Sequence, residues 1–189
     1  WDKELDVIIV EKDAETYEYL NEPFPYSRRV WARVVRNLTK AGAKVITFDI
    51  EFDKPDHQIE NLKNTLSKDD LLKIKYLDAD KDFAESIKYA KKNGTEVVLA
   101  STITTDLNRT PSRFKINPYH SITSSNTTPY TALVDILPDN DGVTRLYPIF
   151  HKIDIMDDNY YYTLAVSSVL RYYNIQEDPK PKIDINNYE

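Results

Sequence analysis

The 189-residue sequence contains no cysteine, which excludes disulfides, thiolate nucleophiles and cysteine-ligated zinc. Glycine is scarce: three residues leave no loop able to cradle a phosphate. No apolar run approaches the roughly 20 residues that a membrane-spanning helix requires, and the first residues carry neither a basic region nor an apolar signal core. Basic residues are in deficit, 25 Lys and Arg against 31 Asp and Glu for a net charge of −6, which argues against a nucleic-acid partner. The three histidines, His57, His120 and His151, are scattered. With no His-x-x-x-His pair and no Gly-x-Ser-x-Gly elbow, the zinc-peptidase and α/β-hydrolase signatures are missing. The first residue is Trp1 and not Met, so we expect an internal segment or a processed product.

What is present is the composition of a folded chain, 41% hydrophobic and 30% charged, and the length suits a single domain over residues 1–189. Val7, Ile8, Ile9 and Val10 form an unbroken β-branched run that reads as a buried strand of the core sheet. Ser27 is placed to cap a helix whose apolar residues Val30, Trp31, Val34, Val35 and Leu38 recur at three- and four-residue spacing until Gly42. Arg29, Arg33, Arg36 and Lys40 make the opposite, solvated face. A second apolar strand over 44–50 follows, so strand, helix and strand form a parallel βαβ unit. Charged helices are expected over 56–77, with Ser67 as a cap. A helix carrying Phe83, Ala84, Ile87 and Ala90 closes at Asn93-Gly94 and leads to a third strand over 96–100.

Residues 102–131 are a long polar excursion of the kind that is usually functional or mobile. Residues 132–136 and 143–150 flank Asp141-Gly142, a pair suited to a hairpin turn. A last amphipathic helix carries Tyr161, Tyr162, Ala165, Val166, Val169, Leu170 and Tyr173, and an edge strand is expected near 183–185. The expected fold class is α/β: a mostly parallel central sheet with helices on both faces and an antiparallel hairpin at one edge.

Several segments, in this order, resemble the second type of CHASE domain, a sensory module of bacterial cyclases and kinases. They are Asp6-Val-Ile-Ile-Val10, Phe24-Pro-Tyr-Ser-Arg28, Ala41-Gly-Ala-Lys-Val-Ile-Thr-Phe-Asp-Ile50, Asp82-Phe-Ala84, Val97-Val-Leu-Ala100, Asp139-Asn-Asp-Gly-Val-Thr-Arg145 and Thr163-Leu-Ala165. Phe24 stands where the family has tryptophan, and the family often continues into another strand beyond the position of Glu189. The resemblance implies an extracytoplasmic location, flanking membrane helices and a cytoplasmic cyclase or kinase output in the parent protein. It implies a small molecule, an ion or a protein as the signal, and no catalytic role for the domain itself.

Ligands of open α/β sheets bind beyond the C-terminal ends of the strands. That rule singles out Asp13, Asp49 and Glu51 after the first two strands; Arg28 at a helix start, and Asp141 and Arg145 at the hairpin, are the further candidate ligand-binding residues. Asp49, Glu51 and Asp53 alternate onto one side of an extended chain, where carboxylates hold Mg²⁺ or Ca²⁺. Arg28 offers a forked donor to an anion beside free helix N–H groups. Each has a structural alternative: Asp13 and Asp49 capping loops and pairing with Arg28, and Arg145 fixing its own turn through Asp139 or Asp141. No cofactor and no resident metal are expected. Two further functions stay open: a dimerisation module without a ligand, and a metal-dependent hydrolase using Asp13 and Asp49.

Overall fold

A computed structural model describes residues 7–21, 24–52, 54–56, 67, 70, 79–103, 114–115, 130–135, 140–152 and 160–177. Its elements are α1 (Ala14–Leu20), α2 (Arg28–Lys40), β1 (Val45–Glu51), α3 (Ala79–Lys92), β2 (Glu96–Ile103), β3 (Phe114–Lys115), β4 (Tyr130–Leu133), β5 (Phe150–Lys152), β6 (Tyr160–Tyr162) and α4 (Leu164–Tyr172).

β2 is the centre of the sheet. It pairs in parallel with β1 on one side and with β4 on the other, and its C-terminal end carries the short antiparallel β3. Its four consecutive residues Val97, Val98, Leu99 and Ala100 are all buried, as a strand covered on both faces requires. Their side chains alternate between two layers. Val97 and Leu99 pack with Ile46, Phe48, Phe52, Phe83 and Ile87 under α2 and α3, whereas Val98 and Ala100 pack with Ala132 and Leu164 under α4.

The larger layer is centred on three phenylalanines. The ring of Phe83 lies 4.8 Å from Phe52 and 5.8 Å from Phe48, and Phe48 and Phe52 are 5.5 Å apart, all tilted or edge-on, the arrangement that ring quadrupoles favour. Ala32 and Val35 of α2 and Ala90 of α3 close this core. Small residues let the helices approach, and Arg36 Nη2 joins α2 to Asp82 Oδ1 of α3 at 2.6 Å. α3 places Asp80 and Asp82 in its first turn and Lys91 and Lys92 in its last, each sign at the end of the helix dipole that favours it.

Both long helices stop where the chain turns left-handed, at Gly42 (φ +91°) and Gly94 (φ +80°), a backbone that a side chain would strain. Ser27 caps α2, accepting the Arg29 N–H at 3.4 Å, as its position predicts. Ser67 accepts the Asp70 N–H at 3.3 Å in the expected capping manner. The rest of the predicted 56–77 helices, the strand near 183–185 and most of the polar excursion lie outside the described residues.

Three expectations are corrected, and one helix is added. The 7–10 run is no strand of the sheet: Val7, Ile8, Ile9 and Val10 are in coil with exposures of 74%, 84%, 84% and 64%, so β-branched composition alone did not secure a pairing partner. α1 was not expected, because its seven residues bury none of their side chains and so show no apolar stripe. The predicted hairpin over 132–136 and 143–150 is replaced: residues 143–148 form no strand, β4 runs parallel beside β2, and the antiparallel hairpin is β5 with β6. Consequently Tyr160, Tyr161 and Tyr162 are strand, not helix. Aromatic side chains suit a pleated surface, and α4 starts after Thr163.

Phe83→Ala should lower the unfolding free energy by about 3–5 kcal/mol, measured by urea denaturation. Arg33→Ala, on the exposed face of α2, should change it by less than about 0.5 kcal/mol.

Candidate functional site

Beyond the C-terminal end of β1 the chain turns back across the first turns of α2 and α3, and four polar residues there are buried: Ser27, Arg28, Asp56 and Asp80, with exposures of 3%, 7%, 1% and 3%. Asp56 Oδ2 accepts the Arg28 backbone N–H at 2.6 Å and the Ser27 hydroxyl at 3.0 Å. The Asp56 N–H in turn donates to Asp80 Oδ2 at 3.1 Å. The Arg28 side chain reaches the Lys54 carbonyl through Nη2 at 2.8 Å, places Nε 3.5 Å from Asp80 Oδ1, and lays its guanidinium 4.5 Å from the centre of the Phe52 ring.

Two helix N-termini therefore converge on two carboxylates. The first-turn N–H groups and the positive ends of the helix dipoles stabilise negative charge at this spot, and the Arg28 guanidinium adds a positive charge 3.5 Å from Asp80. The position beside Arg28 that an anionic ligand would take is filled by the protein's own Asp56. Removing three charged groups from water is costly, and such a cluster is kept for the arrangement it specifies more than for net stability.

The other candidates are spread over separate elements. Asp13 caps α1, accepting the Thr16 N–H at 2.8 Å and the Thr16 hydroxyl at 2.7 Å. The backbone bond from Thr16, then its hydroxyl, hold the Asp13 carboxyl below its ordinary pKa. Asp49 is exposed on β1. Glu51 accepts the Thr102 hydroxyl at 2.6 Å, fastening the end of β1 to the end of β2. Among the described residues neither Asp13 nor Asp49 pairs with Arg28, which corrects that expectation: Arg28 turns to Asp80 and the Lys54 carbonyl instead.

Asp53 lies outside the described residues, and the pairing of β1 with β2 shifts register between Phe48 and Glu51, which interrupts the alternation expected to align the β1 carboxylates. Among the described residues no three acidic or histidine side chains are grouped to hold a metal ion. Asp141 and Arg145 do meet, through a forked pair at 3.0 and 2.7 Å, which is the turn-fixing alternative. Arg145 first, then the Val143 N–H, depress the Asp141 pKa.

Of the six predicted residues only Arg28 belongs to the buried cluster, and its partners Asp56 and Asp80 escaped notice. Asp80 had a signal, an acidic residue in the first turn of a helix. Asp56 had none, because the chain brings it to α2 only through the fold around β1.

A CHASE2 domain profile matches residues 1–187. The chain belongs to the CHASE2 domain family. This is a family of sensory domains, and the match spans nearly the whole sequence, including every segment on which the resemblance rests. No curated relative and no solved structure matches the chain. In this CHASE2 domain no described helix is long and apolar enough to cross a membrane.

Asp80→Ala should destabilise the domain by about 3–5 kcal/mol, because it removes the carboxylate partner of a buried guanidinium. Asp80→Asn, which keeps an acceptor for the Asp56 N–H, should cost less; chemical denaturation of the two variants checks the order. Asp141 has its pKa lowered in the folded state. The contribution of its pair with Arg145 is therefore complete above the ordinary carboxylate range and is lost as pH falls through the depressed value. An NMR titration should find the Asp141 midpoint below that of Asp141 in the Arg145→Ala variant.

Proposed function

We propose that this domain is the extracytoplasmic sensor of a bacterial transmembrane signalling protein, and that it controls a cytoplasmic cyclase or kinase. The observation that carries the reading is the CHASE2 match over residues 1–187. The composition leaves the compartment open, since a chain without cysteine folds on either side of a membrane, and its acidic balance argues against nucleic acid as the signal.

In this reading the signal is a small molecule, an ion or a protein that binds one arrangement of the domain better than another, since only differential binding shifts an equilibrium. The segment between β1 and α3 is well placed to respond. Asp56 and the Lys54 carbonyl tie it to α2, and Asp80 ties it to α3, so its displacement alters the footing of both helices at once. The domain itself performs no chemistry, and the output lies elsewhere in the parent protein.

Topology provides the test. Leu146 is 79% exposed and the chain has no cysteine of its own. Leu146→Cys in the full-length protein should be labelled by a membrane-impermeant maleimide in intact cells with a permeabilised outer envelope, above the level of the unsubstituted protein. Labelling only after the inner membrane is lysed would place the domain in the cytoplasm and refute the reading.

A further inference from the structure

In the last turn of α4, Arg171 is buried more completely than its hydrogen bonds account for. Its side chain is 11% exposed, and its guanidinium lies 3.6 Å from the centre of the Tyr130 ring at the start of β4. Glu177 reaches back to it: one carboxylate oxygen, Oε1, accepts both from Arg171 Nη2 at 3.1 Å and from the buried Ser167 hydroxyl. Arg171 Nε is buried and has no hydrogen-bond partner among the described residues. The Nε–H and one N–H of Nη2 lie along the same edge of a guanidinium, and together they grip two oxygens of a carboxylate or a phosphate. Glu177 therefore engages one arm of that fork. A buried donor without an acceptor is costly and rare.

The hold of Glu177 on this spot is light. Asn174, with a left-handed φ of +56°, ends α4 and turns the chain back along it, and residues 174–176 are exposed. The Glu177 side chain is itself 26% exposed. Detaching it uncovers little apolar surface, so a rival anion has only the Glu177 contacts to replace. A second cation is at hand, since Lys91 Nζ of α3 lies 5.7 Å from the centre of the same Tyr130 ring.

We propose that Arg171 and Ser167 form a binding site for a small anion with at least two oxygen acceptors, a carboxylate or a phosphate, and that Glu177 occupies the site from within the chain until such an anion displaces it. The incoming anion takes Nε and Nη2 of Arg171 through two oxygens, which satisfies the donor that Glu177 leaves unmade, and it accepts the Ser167 hydroxyl in place of Glu177. Lys91 adds positive charge on the same side of the domain. Displacement frees residues 174–177 from α4, so binding is read out as a change in the path of the chain after the helix. The site is argued from its own geometry and does not depend on the compartment or on the output of the parent protein.

The test is an NMR titration of the 189-residue chain, following the Arg171 Nε–H and the backbone N–H groups of Ser167 and Glu177. The probes are sodium phosphate and sodium acetate, compared with sodium chloride at equal ionic strength, which screens charge and cannot span the fork. Phosphate or acetate should shift the Arg171 and Ser167 signals and carry the Glu177 signal toward its position in an unfolded chain. A response to one probe alone supports the site and assigns its ligand class. Glu177→Ala should bind the same probe with an apparent Kd lower by about tenfold or more, because the internal rival is gone. Arg171→Gln should abolish the response. Ser167→Ala, which deletes one hydroxyl and leaves the guanidinium on Tyr130, should weaken binding and keeps the test decisive if Arg171→Gln does not fold.

Equal shifts in chloride, no response to either probe, a Glu177→Ala variant that binds no tighter, or undiminished binding in Ser167→Ala would each overturn the proposal. None of these results bears on the labelling of Leu146→Cys, so failure of the anion site and failure of the sensor reading are distinguishable.

Discussion

One guanidinium and two carboxylates, held out of water at the first turns of α2 and α3, set the terms for the rest of this domain. Arg28 must find its partners there, because an unpaired cation in that position would be far more costly than the cluster as built. Its side chain meets Asp80, the Lys54 carbonyl and the face of Phe52, while its backbone N–H meets Asp56. Its partners come from two parts of the chain, residues 52–56 after β1 and Asp80 at the start of α3, so satisfying this one residue joins the end of β1 to the entry of α3.

The apolar core and the ionic cluster are continuous. Phe52 faces the guanidinium on one side and Phe83 on the other, so the ring that completes the aromatic layer also covers the charge. Residues 54–56 are thereby tied to both helices, through Arg28 of α2 and Asp80 of α3. On the other face of the sheet Thr47 and Ser168 meet through their hydroxyls at 2.7 Å, and Leu133 bridges Thr163. That face has its own arginine on a ring: Arg171 of α4 pairs with Glu177 at 3.1 Å and lies 3.6 Å from the centre of the Tyr130 ring.

Much of this was legible in the residues. The apolar spacing along α2 and α3, the terminating glycines, the Ser27 cap and the buried run of β2 each follow from a local rule, and the ordered motifs led to the family. Local rules failed where a partner decides. The 7–10 run obeys every compositional criterion for a core strand, yet a strand exists only when another backbone accepts its hydrogen bonds. The Asp141-Gly142 pair makes a turn with its own ion pair, but the strands flanking it pair elsewhere, β4 with β2 and β5 with β6.

The sequence by itself determined the class of fold, the extent of α2 and α3, the strands β1 and β2 and the family, because these depend on periodicity, capping and the order of short motifs. Only the tertiary structure decided that Asp56 occupies the anion position beside Arg28, that Asp80 completes the cluster, and that the 7–10 run lies exposed in coil. Those outcomes are set by which distant segments meet in space, and a charge or a strand acquires its role only from the group that the fold places opposite it.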